Sequence, residues 1–244
     1  MVELTNNMPD WPRLEMCGVR KRFGATQALD GVNFSARAGA VHALVGENGA
    51  GKSTLMKILS GAIAPDSGTI RLDGSPFNPR SPHDARRAGV AMIYQELSLA
   101  PHLGVQDNVM LGIEPSRFGI LRGRDIRERT VAALRQLGHG DIPPDAVVGR
   151  LSPAAQQIVE IARSLVLGCR VLVLDEPTSS LAREDVRRLF DVIRGLRERN
   201  YSVIYISHFI EEVSQIADSF TILRDGKPWA AEPRQQRLRV RSYG

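Results

Sequence analysis

Lys52 and Ser53 close the run Gly46-Glu47-Asn48-Gly49-Ala50-Gly51-Lys52-Ser53-Thr54, a glycine, four residues, then Gly-Lys-Ser. Glycines at this spacing let the backbone curl so that successive amides face one anion, an approach that side chains would obstruct. Lys52 can then reach the β- and γ-phosphates of a nucleotide. Ser53 can offer its hydroxyl to Mg²⁺, and the amide of Thr54 can face the α-phosphate. A second group, Asp175 and Glu176, follows the apolar run Val171-Leu172-Val173-Leu174. A carboxylate at the end of a buried strand lies where α/β sheets hold their ligands. Asp175 is expected to hold Mg²⁺ through a water, and Glu176 to polarise an attacking water as general base. Gln95, ending another apolar run, has an amide suited to the metal or the water. His208, ending Tyr201–His208, is suited to donate to the γ-phosphate. Phe23 offers a face on which adenine could stack, with packing beneath its strand as the alternative.

These residues need strand ends and helix starts to hold them, and the flanking patterns supply both. Residues 40–46 are an apolar strand, and an amphipathic helix follows from Gly51, the context a phosphate loop requires. Short strand-like segments between Leu14 and Val45 are punctuated by Gly24, Gly31 and Gly39. Residues 69–74 and 89–95 read as strands, the first ending in an Asp-Gly turn. From about 97 to 150 the texture is helical with Gly- and Pro-containing loops and no strands. A helix starts after Ser152, which can cap it, with Pro153 suited to the first position and an apolar face through Ile158, Ile161, Ala162 and Leu165. Strand, helix, strand, helix follow, and residues 219–226 read as the closing strand. Strands alternating with helices predict an α/β fold with a mainly parallel sheet, N-terminal antiparallel strands and an inserted helical subdomain. The expected division is an N-terminal extension (1–13), one catalytic domain (14–227, helical subdomain about 97–165) and a basic tail (228–244).

The bulk composition narrows the class. At 244 residues, 43% apolar and 24% charged, the chain can bury a large core. No run approaches the roughly 18 apolar residues of a membrane span. The N-terminal stretch lacks a basic start followed by an apolar segment, which argues against secretion. Cys17 and Cys169 have no motif spacing, so neither a disulfide nor a metal is implied and a reducing cytosol is expected. Much of the net charge of +5 lies in the last stretch, with Arg234, Arg237, Arg239 and Arg241 against Glu232. That tail reads as a solvated end rather than an arm for nucleic acid.

With these residues assembled, the chain resembles the ATP-binding cassette proteins, the nucleotide-hydrolysing subunits of ABC transporters. The resemblance runs from about Leu14 to Lys227 and is greatest to the sugar-importer branch serving ribose- or xylose-type uptake. It is carried by GENGAGKSTLMKILSG, IYQELSLAPHLGVQDNVMLG, QQIVEIARSL and IYISHFIEEV. It implies Mg²⁺ with ATP as substrate, transmembrane permease subunits as partners and, indirectly, a solute-binding protein. It also implies a second cassette, as a homodimer or a paired half, and a place on the inner face of the cell membrane. The family's Leu-Ser-Gly-Gly-Gln signature, which caps the ATP of the opposing subunit, reads Leu151-Ser152-Pro153-Ala154-Ala155 here. Ser152 and the amide of Ala154 remain as donors in trans, while Pro153 has no amide to give. Ala182 stands where the family has an aspartate that couples the two sites. That branch usually carries two cassettes per chain, and here there is one. A soluble ABC ATPase outside transport, or a nucleotide-binding regulatory half with little turnover, are the alternative expectations.

Overall fold

The computed structural model describes residues 12–117 and 120–233. The expected extension up to residue 11 and the arginines from Arg234 onward lie outside the described residues. Strands β1 (Leu14–Phe23), β2 (Thr26–Ala36) and β3 (Ala40–Val45) come first, then helix α1 (Lys52–Leu59). β4 (Ser67–Leu72), β5 (Ser75–Pro76), α2 (Pro82–Arg87) and β6 (Val90–Ile93) follow. The middle of the chain holds α3 (Val105–Met110), β7 (Ser116–Arg117), β8 (Ile120–Leu121), α4 (Gly123–Gln136) and α5 (Pro153–Val166). The remainder alternates: β9 (Val171–Asp175), α6 (Arg183–Glu198), β10 (Ser202–Ser207), α7 (Ile210–Ile216), β11 (Ser219–Arg224) and β12 (Lys227–Pro233).

A four-stranded antiparallel sheet, in the order β2-β1-β4-β5, packs on a six-stranded sheet, β12-β11-β3-β10-β9-β6. Within the larger sheet β6, β9, β10, β3 and β11 run parallel, and only β12 at the edge is antiparallel. Every residue of β10 is buried, as a strand covered on both faces must be. One core lies between the two sheets and α1, built from Leu14, Val32, Leu55, Val173 and Ile204. A second lies on the other face, where Leu172, Leu174 and Tyr205 meet Phe190 of α6, Ile158 of α5 and Val105 of α3. The helices of the middle segment therefore share a core with the parallel sheet.

Three sequence expectations are corrected here. The segment 97–150 does contain strands, the two-residue pair β7 and β8. A two-residue strand is too short to show an alternating pattern. β11 is not the closing strand, because β12, Lys227–Pro233, follows it and pairs with it antiparallel. Pro228 and Pro233 disguised it, although an edge strand tolerates proline. β6 ends at Ile93, so Gln95 lies in the loop beyond the strand rather than at its end.

Candidate functional site

The loops following β3, β6, β9 and β10 all leave the same, carboxyl end of the parallel strands. An open cavity of about 640 Å³ lies there. Of the residues singled out from sequence, Glu47, Asn48, Gly49, Gly51, Lys52, Ser53 and Thr54 line it together with Gln95, Asp175 and Glu176.

Close packing shapes the 46–54 loop. A Cβ on Gly46 would stand 2.5 Å from the carbonyl oxygen of Leu223 on β11. Gly51 has φ +104° and carries the chain into α1 without a side-chain cap; a Cβ there would lie 2.8 Å from the Ala28 carbonyl oxygen. The first amides of α1 are therefore free to face an anion. Gly46 and Ala50 are buried behind the loop. Gly226, in the turn between β11 and β12, donates its N–H to the Ala50 oxygen at 3.1 Å and accepts from Asp30 N–H at 2.8 Å. Gly226, Asp225 and Thr26 to Ala28 also line the cavity. Sequence reading missed all five. The Asp225-Gly226 pair was the available signal, since Asp73-Gly74 has the same left-handed backbone in the β4–β5 turn.

Lys52 is only 7% exposed and donates to the carbonyl oxygens of Gly46 (2.5 Å) and Glu47 (3.0 Å). Asp175 ends β9, and its pKa is raised, by burial first and then by the neighbouring Glu176 charge, with Lys52 acting the other way. Glu176 takes a left-handed backbone, φ +47°, while its N–H still donates to Ile206 O at 3.0 Å. A non-glycine residue held there stores on the order of 1–2 kcal/mol of strain. Its Oε1 lies 3.1 Å from His208 Nδ1, which leaves His208 Nε2 outside this contact. His208 therefore reaches the site through Glu176 and does not itself line the cavity.

Ser53, Gln95 and Asp175 offer a hydroxyl, an amide and a carboxylate oxygen to one space. Among the described residues no cluster of three or more His, Cys, Asp or Glu could hold a metal alone. That donor set fits Mg²⁺, which takes one or two protein oxygens and completes its shell with phosphate and water. The mutual repulsion of Asp175 and Glu176 is what a cation there would relieve.

Phe23 ends β1 with its ring half exposed, which overturns packing beneath the strand; it does not line the cavity, and Lys21 Nζ stands 5.6 Å from the ring centre. Ser152 and Ala154 border a different cavity of about 170 Å³ between α5 and α6. Ser152 caps α5, its Oγ accepting from Ala155 N–H at 3.3 Å. Gln156, one step beyond the position of the missing glutamine, donates back to Leu151 O at 3.0 Å. Ala182 is the N-cap of α6 and has no side-chain acceptor.

The family model described as ABC transporter matches residues 29–179. The ribose import ATP-binding protein RbsA of Chromobacterium violaceum is 49% identical over 214 residues, 88% of this chain and 43% of that protein. A ribose import ATP-binding protein RbsA 1 of Rubrobacter xylanophilus is 49% identical over 216 residues, 88% and 43% of the two chains. The chain thus spans less than half the length of these curated relatives. Among solved structures, a nucleotide-free ATP-binding cassette from an ABC transporter superposes with a TM-score of 0.81 at 23% identity, covering 91% of each chain. CbiO1 of Clostridium perfringens, part of an ABC transporter complex, gives 0.81 at 26% identity, covering 92% of this chain and 89% of its own.

Proposed function

Since this chain belongs to the ABC transporter family, we propose that it binds Mg·ATP and hydrolyses it to energise import of a sugar or a related small solute. The observation that carries the hydrolytic part is the convergence of Lys52, Asp175 and Glu176 on one cavity, with Glu176 paired to His208 at 3.1 Å. The import part rests on the relatives' ribose systems. Backbone amides of 47–54 and the Lys52 ammonium hold the triphosphate. Ser53, Gln95 and Asp175 hold Mg²⁺, which when bound neutralises phosphate oxygens. Glu176, oriented by His208, accepts the proton of the attacking water, and His208 Nε2 faces the γ-phosphate. Phe23 stacks on adenine beside Lys21.

In this reading Ser152 Oγ and the Ala154 amide reach the ATP of a second cassette, and permease subunits dock near the Gln95 loop. A solute-binding protein delivers the solute, and the chain sits on the inner face of the cell membrane. No described helix is long and apolar enough to cross a membrane. One observation favours a second reading, a nucleotide-binding half with little turnover. With Pro153 lacking an amide and Ala155 N–H taken by Ser152, α5 offers only the Ala154 amide from its first turn.

The test is Mg·ATP hydrolysis across protein concentration, with Glu176→Gln as the blank. Turnover rising faster than linearly, and lower by about 100-fold or more in the blank, supports a hydrolytic homodimer. Tight ATP binding with no turnover supports the second reading instead.

A further inference from the structure

Behind the cavity, one carboxylate oxygen gathers three hydroxyls. Glu212 Oε2 on α7 accepts from Tyr205 Oη at 2.7 Å, Thr178 Oγ1 at 3.0 Å and Ser207 Oγ at 3.1 Å. Ser207 Oγ in turn accepts from Phe209 N–H at 3.0 Å. Thr178 stands two residues beyond Glu176, and Phe209 one residue beyond His208. The contact of Glu176 Oε1 with His208 Nδ1 closes the circuit at 3.1 Å.

A glutamate at the third position of a helix usually turns back to the N-cap amide. Here the N-cap is Phe209, and its amide goes to Ser207. Glu212 is released from capping and points across to the loop after β9. Burial and the Glu212 charge raise the Tyr205 phenol pKa, so Tyr205 stays a donor. Charge-assisted hydrogen bonds of this kind are about twice as strong as neutral ones, and three on one atom leave it little freedom.

We infer that Glu212 is a positioning residue: it clamps the loop bearing Glu176 to the loop bearing His208 and so fixes the separation of the two side chains. The inference rests on the proposed hydrolytic roles of that pair. It predicts an effect on the reacting geometry and little on nucleotide binding, because none of the circuit's hydrogen bonds goes to the 46–54 loop.

Steady-state hydrolysis by the full chain tests it. Glu212→Ala is expected to lower kcat by about tenfold or more while KM for Mg·ATP stays within about twofold. Thr178→Val falls in the same way, and Thr178→Ser, which keeps the hydroxyl, restores the rate. A Glu212→Ala chain that melts cooperatively and keeps the original kcat overturns the inference, as does a loss expressed wholly in KM. The ring ¹⁵N shifts of His208 decide the matter without turnover. Glu176→Gln marks the shifts of a ring that has lost its carboxylate partner, and Glu212→Ala is expected to move the signals toward that mark. Unmoved signals overturn the inference. If the unmutated chain hydrolyses nothing, the functional reading fails and the ring shifts still decide this one.

Discussion

Asp175 ionises against its surroundings. Burial and the adjacent Glu176 raise its pKa above the ordinary 3.8, and the Lys52 charge only partly offsets them. The unfolded chain therefore releases this proton at lower pH than the folded chain does. The penalty on folding is absent below the unfolded pKa and complete above the folded one. Replacing Asp175 by Asn removes the charge and keeps the shape. The melting temperature of the ligand-free chain at pH 7 is predicted to rise, while the further rise on adding Mg·ATP shrinks. Thermal melts with and without Mg·ATP read both numbers. A fall in the ligand-free value would mean that attraction to Lys52 outweighs burial. A residue that costs stability and stands at the proposed metal position is the expected signature of a functional group.

At the scale of elements, α5 is built to fold better than it binds. Pro153 at the first helical position is pre-organised for the helix, and Ser152 satisfies one of the first amides. Both devices consume donors that an anion would otherwise receive. Pro153→Gly is predicted to act in opposite directions on the two properties. Stability falls by about 0.4–1 kcal/mol through the freer unfolded chain. Hydrolysis rises by about tenfold if the regained amide reaches phosphate, since a hydrogen bond to a charged group contributes about 1.5–3 kcal/mol. Melting and turnover on the same preparation check the pair of signs. This element was legible in the sequence because cap, proline and apolar face are contiguous. The circuit around Glu212 was not, because Thr178, Tyr205 and Ser207 are ordinary residues until three elements meet.

For the whole molecule, the two sheets are tied by polar contacts as well as by their shared core. Arg13 Nη1 donates to Asn200 O at 2.6 Å, and Arg170 pairs with Asp73 across the same junction. Deeper in the sheet, His42 on β3 lies between two hydroxyls of β11. Its Nε2 is 2.8 Å from Thr221 Oγ1 and its Nδ1 2.8 Å from Ser219 Oγ. Neutral imidazole suits that pair, and burial pushes its pKa down from 6.5 to about 4. Above pH 6.5 the residue costs the fold nothing. Between 6.5 and 4 the unfolded chain takes the proton first, so stability drains away as pH falls, by about 3 kcal/mol in all. Denaturant unfolding at a series of pH values is predicted to show a shallower decline in His42→Gln than in the original chain. Equal slopes would assign the acid loss to carboxylates. The alternation of strands and helices, and the phosphate loop within it, were readable because period and motif are local. The walls from Thr26 to Ala28 and at Gly226 were not, since distant strands supply them with residue types that carry no chemistry of their own.

The hydrogen bond from Gly226 to Ala50 joins positions made at very different times. A ribosome completes the loop at 46–54 long before the turn between β11 and β12 emerges. Until then Gly51 lacks one of its packing neighbours and the Ala50 oxygen lacks its donor. The other close neighbours of Gly51, the Ala28 oxygen and the Leu29 side chain, are already made by then. A chain cut short before Gly226 lacks that last wall of the cavity and is predicted to bind Mg·ATP more weakly than the full chain, which binding measured on the two preparations checks.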